Sequence, residues 1–145
     1  MEVKTILLVE DNPQDVELTI EALSEQNLAN KVIAVNDGVE AMEYLQYDGR
    51  FQNRNQGQPA VVLLDIKMPR MDGIEVLQAI RNDEKLKHLP VVMLTSSREE
   101  PDLEKCYELG ANAYVVKPVN FKDFMYSVKK IGFFWALINE QPPGS

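Results

Sequence analysis

The chain has 145 residues, enough for one domain with its own hydrophobic core, and its single cysteine excludes an internal disulfide. No apolar run approaches the roughly 18 residues that cross a bilayer, and Met1-Glu2-Val3-Lys4 leads into a strand pattern, not a signal peptide, so a cytoplasmic protein with no membrane association is expected. With 23 acidic against 15 basic residues and a net charge of −8, non-specific binding to nucleic acid is disfavoured and no nucleic-acid partner is expected, because phosphate contacts need a basic surface.

Thr5-Ile6-Leu7-Leu8-Val9 reads as a buried strand ending at Glu10-Asp11-Asn12-Pro13. Asn12 before Pro13 is a helix-start signal, and Val16, Ile20 and Leu23 then recur at helical spacing. Val32-Ile33-Ala34-Val35 is a second strand, Asn36-Asp37-Gly38 a turn, and Val39, Met42 and Leu45 open a second amphipathic helix. The polar stretch from Arg50 to Pro59 is a surface loop. Val61-Val62-Leu63-Leu64-Asp65 follows: four apolar residues running straight into one carboxylate, the pattern of a strand buried on both faces. Ile74, Leu77 and Ile80 mark a third helix after Gly73. Pro90 to Thr95 is a fourth strand, Glu99 to Leu109 a fourth helix closed by Gly110, and Ala113 to Val116 a fifth strand stopping at Lys117-Pro118. A last helix is expected from a cap at Asn120 to about Asn139, with residues 141–145 as a frayed tail.

Strands and helices therefore alternate five times, which implies an α/β fold with a parallel sheet and helices on both faces. Parallel strands share one carboxyl edge, and ligands bind there in open α/β sheets. Glu10 and Asp11, Asp65, Thr95 and Lys117 all fall at that edge. Taken singly, each has an ordinary reading: a helix-start charge, a cap, a surface lysine. Taken together, three carboxylates repel one another and either raise a pKa or hold a cation. All-oxygen ligands suit a hard cation such as Mg²⁺ (or Mn²⁺), and a carboxylate held there is a nucleophile for phosphoryl transfer. Lys117 offers a point charge and Thr95 a hydroxyl to stabilise the transferred group.

Five segments in order, Leu8-Val9-Glu10-Asp11-Asn12, Asn36-Asp37-Gly38-Val39-Glu40-Ala41, Leu64-Asp65-Ile66-Lys67-Met68-Pro69 with Met71-Asp72-Gly73, Leu94-Thr95-Ser96 and Val116-Lys117-Pro118, resemble the receiver domain of two-component response regulators. The resemblance implies a flavodoxin-like, doubly wound (βα)5 sheet with strand order 2-1-3-4-5, and one receiver over residues 1–140. It implies a signalling protein, not an enzyme acting on a separate substrate. Asp65 would be the phosphoacceptor, phosphorylated by a histidine kinase or histidine phosphotransfer protein. Asp11, Asp65 and the main-chain carbonyl of Lys67 would hold Mg²⁺, with Glu10 acting through water. Thr95 and Lys117 would stabilise the phosphoryl group, with Thr95 and Tyr114 as the switch pair. Lys67 and Ser97 match positions that tune dephosphorylation in the family, and Pro118 matches one often preceded by a cis bond. The Arg50–Pro59 stretch and the Phe133-Phe134-Trp135 ending resemble the small stand-alone receivers that partner bacterial, notably cyanobacterial, phytochrome kinases.

A receiver filling the chain leaves output to protein contact, through the surface of the fourth helix, fifth strand and fifth helix. In the last helix Phe121, Phe124, Val128, Ile131, Trp135 and Ile138 form the core stripe. At about 100° per residue, Tyr126, Phe133 and Leu137 fall on the opposite face, which implies either an interface for a partner or a homodimer, the favoured reading, or a helix end wrapped over the body that buries them internally. Two other classes fit worse. A phosphatase with an aspartyl nucleophile has a second Asp two residues on, where this chain has Lys67. A flavodoxin-type carrier needs a phosphate loop where Glu10-Asp11 would repel it. A receiver-like interaction module that is not phosphorylated is the remaining alternative.

Overall fold

The computed structural model describes residues 4–24 and 30–130. Its elements are β1 (Lys4–Val9), α1 (Pro13–Ser24), β2 (Asn30–Val35), α2 (Gly38–Leu45), β3 (Val61–Asp65), α3 (Gly73–Asn82), β4 (Val91–Thr95), α4 (Asp102–Glu108), β5 (Ala113–Val116) and α5 (Phe121–Lys130). The five strands are all parallel, in the order β2-β1-β3-β4-β5. Strand limits fall within two residues of those expected, and the strand order is the expected one.

The apolar runs divide by parity, because successive strand side chains point to opposite faces. Leu7, Val9, Val62, Leu64 and Met93 pack with Met42, Leu45, Val76, Leu77, Ile80, Leu103 and Cys106, the side of α2, α3 and α4. Ile6, Leu8, Val61, Leu63, Val92, Leu94, Ala113 and Val115 pack with Leu23, Phe124 and Met125, the side of α1 and α5. Both faces of β3 and β4 are covered, so every residue of those strands is buried. Among the described residues no helix is long and apolar enough to cross a membrane.

Caps fix where the helices begin. Asn12 Oδ1 accepts the Gln14 and Asp15 amides at 2.9 and 3.1 Å. Asp72 and Glu75 form a reciprocal capping box on α3. Asn120 Oδ1 accepts the Asp123 amide at 2.8 Å, as expected of a cap.

The fourth helix departs from expectation. It starts at Asp102, not Glu99. Pro101 has no N–H, and inside a helix its ring would clash with the carbonyl of Ser97. That carbonyl instead accepts the Glu100 amide at 3.2 Å and the Thr95 hydroxyl at 2.8 Å, so residues 97–101 form a turn at the site.

The Arg50–Pro59 loop is on the surface, as expected, but it is organised. A short 3-10 turn spans Gly49–Phe51. The Arg54 guanidinium lies 4.0 and 3.8 Å from the ring centres of Tyr44 and Tyr47 and donates to the carbonyls of Tyr44, Asn55 and Gly57.

Gly73 is the contact through which the fold presses on the site. Its amide donates to the Ile66 carbonyl at 2.8 Å, and a Cβ there would run into the carbonyl oxygen of Asp65 and lie 2.9 Å from Ile66 Cα. Backbone atoms cannot move aside as a flexible side chain can. Gly73→Ala is expected to cost about 1–3 kcal/mol, as overpacking does, and urea unfolding reads it; an unchanged midpoint would mean that α3 shifts freely.

Candidate functional site

The parity that divides the core also sorts the site. Glu10, Asp65 and Lys117 each continue the alternation of the face that packs on α1 and α5, whereas Thr95 and Tyr114 continue the other. Lys117 Nζ accordingly meets Glu10 Oε1 at 3.0 Å, Asp15 Oδ2 at 3.2 Å and Asp65 Oδ1 at 3.4 Å. The Lys117 amide donates to the Thr95 carbonyl at 2.7 Å, which fixes the strand end that carries the ammonium. The Lys117-Pro118 peptide bond is cis.

These side chains line an open pocket of about 220 Å³ with Asp11, Asn12, Asp15, Lys67, Ser96 and Glu100. Among the described residues, Glu10, Asp11 and Asp65 offer carboxylate oxygens that all lie within 4.8 Å of one another. Glu10 and Asp65 are buried and Asp11 is exposed, so the cluster opens to solvent on one side.

Burial pushes the Glu10 carboxyl up to about 7, and its hydrogen bond and charge repulsion with Asp65 add to the rise. Burial likewise holds Asp65 above the ordinary carboxylate value, against the hydrogen bond from Glu10 and the charge of Lys117. For Lys117, burial works against the charge. The hydrogen bond to Glu10 and the charges of Asp65 and Glu10 outweigh it and hold the ammonium above its ordinary value. One ammonium does not neutralise this many carboxylates, so the pocket carries a residual demand for positive charge.

Thr95 is buried, and its hydroxyl donates to the Ser97 carbonyl and accepts the Ser97 amide at 3.3 Å. Tyr114 is half-buried, edge-on to Tyr107 of α4 with ring centres 6.2 Å apart. Lys67 is exposed and extends to Glu100 at 3.7 Å, across the mouth of the pocket. Asp37 turns away from the site: it caps α2 by accepting the Glu40 amide and takes a 2.7 Å ion pair from Arg70. Tyr126 stands out on α5, 70% exposed. Phe133 and Leu137, the other two residues of that expected stripe, lie outside the described residues.

Two residues of the pocket were not anticipated. Asp15 lies in the first turn of α1, directly after the strand end that carries Glu10 and Asp11, which is the signal that would have placed it beside the site. Glu100 had no such signal, because the expected helix start at Glu99 hid the turn it occupies. His88 is exposed, and Cys106 is a packed side chain whose thiol burial pushes up to about 11.

Comparison with known proteins agrees with this architecture. The family model described as "Response regulator receiver domain" matches residues 6–129. The chain is 41% identical over 132 residues to response regulator Rcp1 of Synechocystis sp. (strain ATCC 27184 / PCC 6803 / Kazusa), covering 91% of this chain and 88% of that protein. It superimposes on the Mn²⁺-bound form of Rcp1 with a TM-score of 0.74 at 40% identity over 97% of this chain and 99% of that one. The bacteriophytochrome response regulator AtBRR is 56% identical with a TM-score of 0.88, covering 97% of this chain and 100% of that one. The phosphorylated cyanobacterial phytochrome response regulator RcpA is 40% identical with a TM-score of 0.77, covering 99% and 100%. With its parallel sheet, strand order and acidic pocket, the chain belongs to the response regulator receiver family and is related to the phytochrome response regulators.

Proposed function

We propose that the chain is a phosphorylation switch in which Asp65 takes a phosphoryl group from a histidine kinase of the phytochrome type, or from a histidine phosphotransfer protein. The observation that carries this reading is a buried carboxylate, Asp65, sharing one lysine with Glu10 beside an exposed Asp11 in an open pocket. In the transfer, an Asp65 oxygen forms the new P–O bond while the P–N bond of phosphohistidine breaks, and the imidazole leaves. Lys117 then pairs with the phosphoryl oxygens. The Thr95 hydroxyl, freed from Ser97, donates to the same group and draws the 97–101 turn with it. Tyr114, held edge-on to Tyr107, is placed to follow that turn.

The residues fit a divalent cation: three clustered carboxylates, two of them held above their ordinary pKa, with oxygen donors only. Asp11, Asp65 and the Lys67 carbonyl would hold Mg²⁺ or Mn²⁺, with Glu10 through water. The cation, when bound, offsets the charge repulsion between Asp65 and an incoming phosphate. Output passes through the α4-β5-α5 surface, with Tyr126 part of a homodimer or partner interface. The switch modifies itself and turns over no separate substrate, and the reading places it in the cytoplasm.

The test is label transfer. A phytochrome-type kinase carrying labelled phosphohistidine is expected to label this chain in Mg²⁺, hydroxylamine is expected to release the label as it does from an acyl phosphate, and Asp65→Asn is expected to stay blank. Label that resists hydroxylamine, or that persists in Asp65→Asn, overturns the assignment.

A further inference from the structure

The Lys117 ammonium has three N–H donors and meets three carboxylates, Glu10, Asp15 and Asp65, at 3.0, 3.2 and 3.4 Å. A phosphoryl oxygen that pairs with Lys117 must therefore displace one of them. Glu10 is 1% exposed, and its second oxygen already accepts the Asn12 amide at 3.2 Å. Stripping it of the lysine would strand a buried carboxylate. Asp65 carries the phosphoryl group and stays in place. Asp15 differs from both: its side chain is 29% exposed, and it sits in the first turn of α1, where water and the helix N-terminus both stabilise a carboxylate. It is also outside the group of carboxylates close enough together to share a cation.

We propose that Asp15 is the resting-state tether of Lys117, a positioning residue that holds the ammonium over the pocket and is the partner it releases when the phosphoryl group arrives. The proposal rests on the phosphorylation of Asp65 argued above. Lys117 is shared out among carboxylates before phosphorylation, and Asp15 opposes the phosphorylated state by competing for it. The tether also joins the first turn of α1 to the end of β5, so its release uncouples the two elements.

Removing the competitor should tighten binding of a phosphoryl mimic. Beryllofluoride is titrated by calorimetry in saturating Mg²⁺ into wild type, Asp15→Asn and Glu17→Gln, the last removing an exposed charge from the same helix. Asp15→Asn is expected to bind roughly two- to fivefold more tightly, the range that a partly exposed ion pair supports, while Glu17→Gln matches wild type. A separate arm, without donor or Mg²⁺, labels Lys117 with acetic anhydride and reads the extent by mass spectrometry; Asp15→Asn is expected to label faster. If wild type binds beryllofluoride and Asp15→Asn binds it no more tightly, or if Glu17→Gln gains as much, the tether is wrong. If wild type does not bind beryllofluoride yet Lys117 labelling rises in Asp15→Asn, the tether stands and the phosphorylation reading falls. If labelling does not rise, the tether falls whatever beryllofluoride does.

Discussion

Lys117→Met is expected to destabilise the fold by about 3 kcal/mol at pH 8, in the range for removing one partner of a buried ion pair, and by much less at pH 5. The lysine is the only cation in contact with the fully buried Glu10 carboxylate among the described residues. Methionine keeps most of the stem volume, so packing changes little and charge changes by one. The pH dependence follows from Glu10. Its carboxyl titrates near 7 in the folded chain against an ordinary value of 4.5. The folded state thus binds the proton more readily, and the stability this group contributes is full below about 4.5 and lost as pH rises through 7. At pH 5 a protonated Glu10 no longer needs the ammonium. Urea unfolding of wild type and variant at both pH values in EDTA checks this. An equal loss at pH 5 and pH 8 would mean that the lysine acts through packing.

Arg81→Met is expected to cost about 2–3 kcal/mol, as for lost hydrogen bonds to a charged donor, and to leave phosphorylation of Asp65 unchanged. Arg81 stands near the end of α3, at the opposite edge of the sheet from the pocket. All five of its N–H donors are used: two on the Gly110 carbonyl at 3.1 and 2.8 Å, one each on the carbonyls of Lys87 and Leu89, and one on Asn112 Oδ1. No carboxylate takes part in these bonds, and burial lowers its pKa. The guanidinium ties the turn before β4 to the turn before β5. Lysine offers three donors from one point and cannot span those acceptors, so Arg81→Lys is expected to recover little. Unfolding midpoints for both variants, with phosphate uptake measured alongside, decide it. Loss of uptake in folded Arg81→Met would show that the two ends of the sheet are coupled.

The elements were legible because their signals are local. Asn12-Pro13, Asp72 three residues before Glu75, and the unbroken run into Asp65 need no knowledge of neighbours. Parallel strands buried on both faces hide something else. Leu7 and Leu8 are equally apolar, so the sequence alone does not say which face either takes, and the shared face of Glu10, Asp65 and Lys117 emerges only once the helices are docked. The contact of Asp15 with Lys117, 102 positions away in the chain, is hidden for the same reason. Arg54 between two tyrosine rings is likewise a tertiary event, invisible in a stretch that reads as polar loop. The start of α4 falls three residues beyond the expected Glu99 because Pro101, with no N–H and a ring that clashes with the preceding turn, is excluded from the helix interior.

On the proposed function, Asp65 takes up phosphate only when Mg²⁺ is present. Intact-mass spectrometry after incubation with a small acyl-phosphate donor tests it most directly, with wild type and Asp65→Asn each in Mg²⁺ and in EDTA. One added phosphate in wild type with Mg²⁺, and none in the other three samples, is the predicted result. Phosphate added to Asp65→Asn, or equal addition in EDTA, would contradict it.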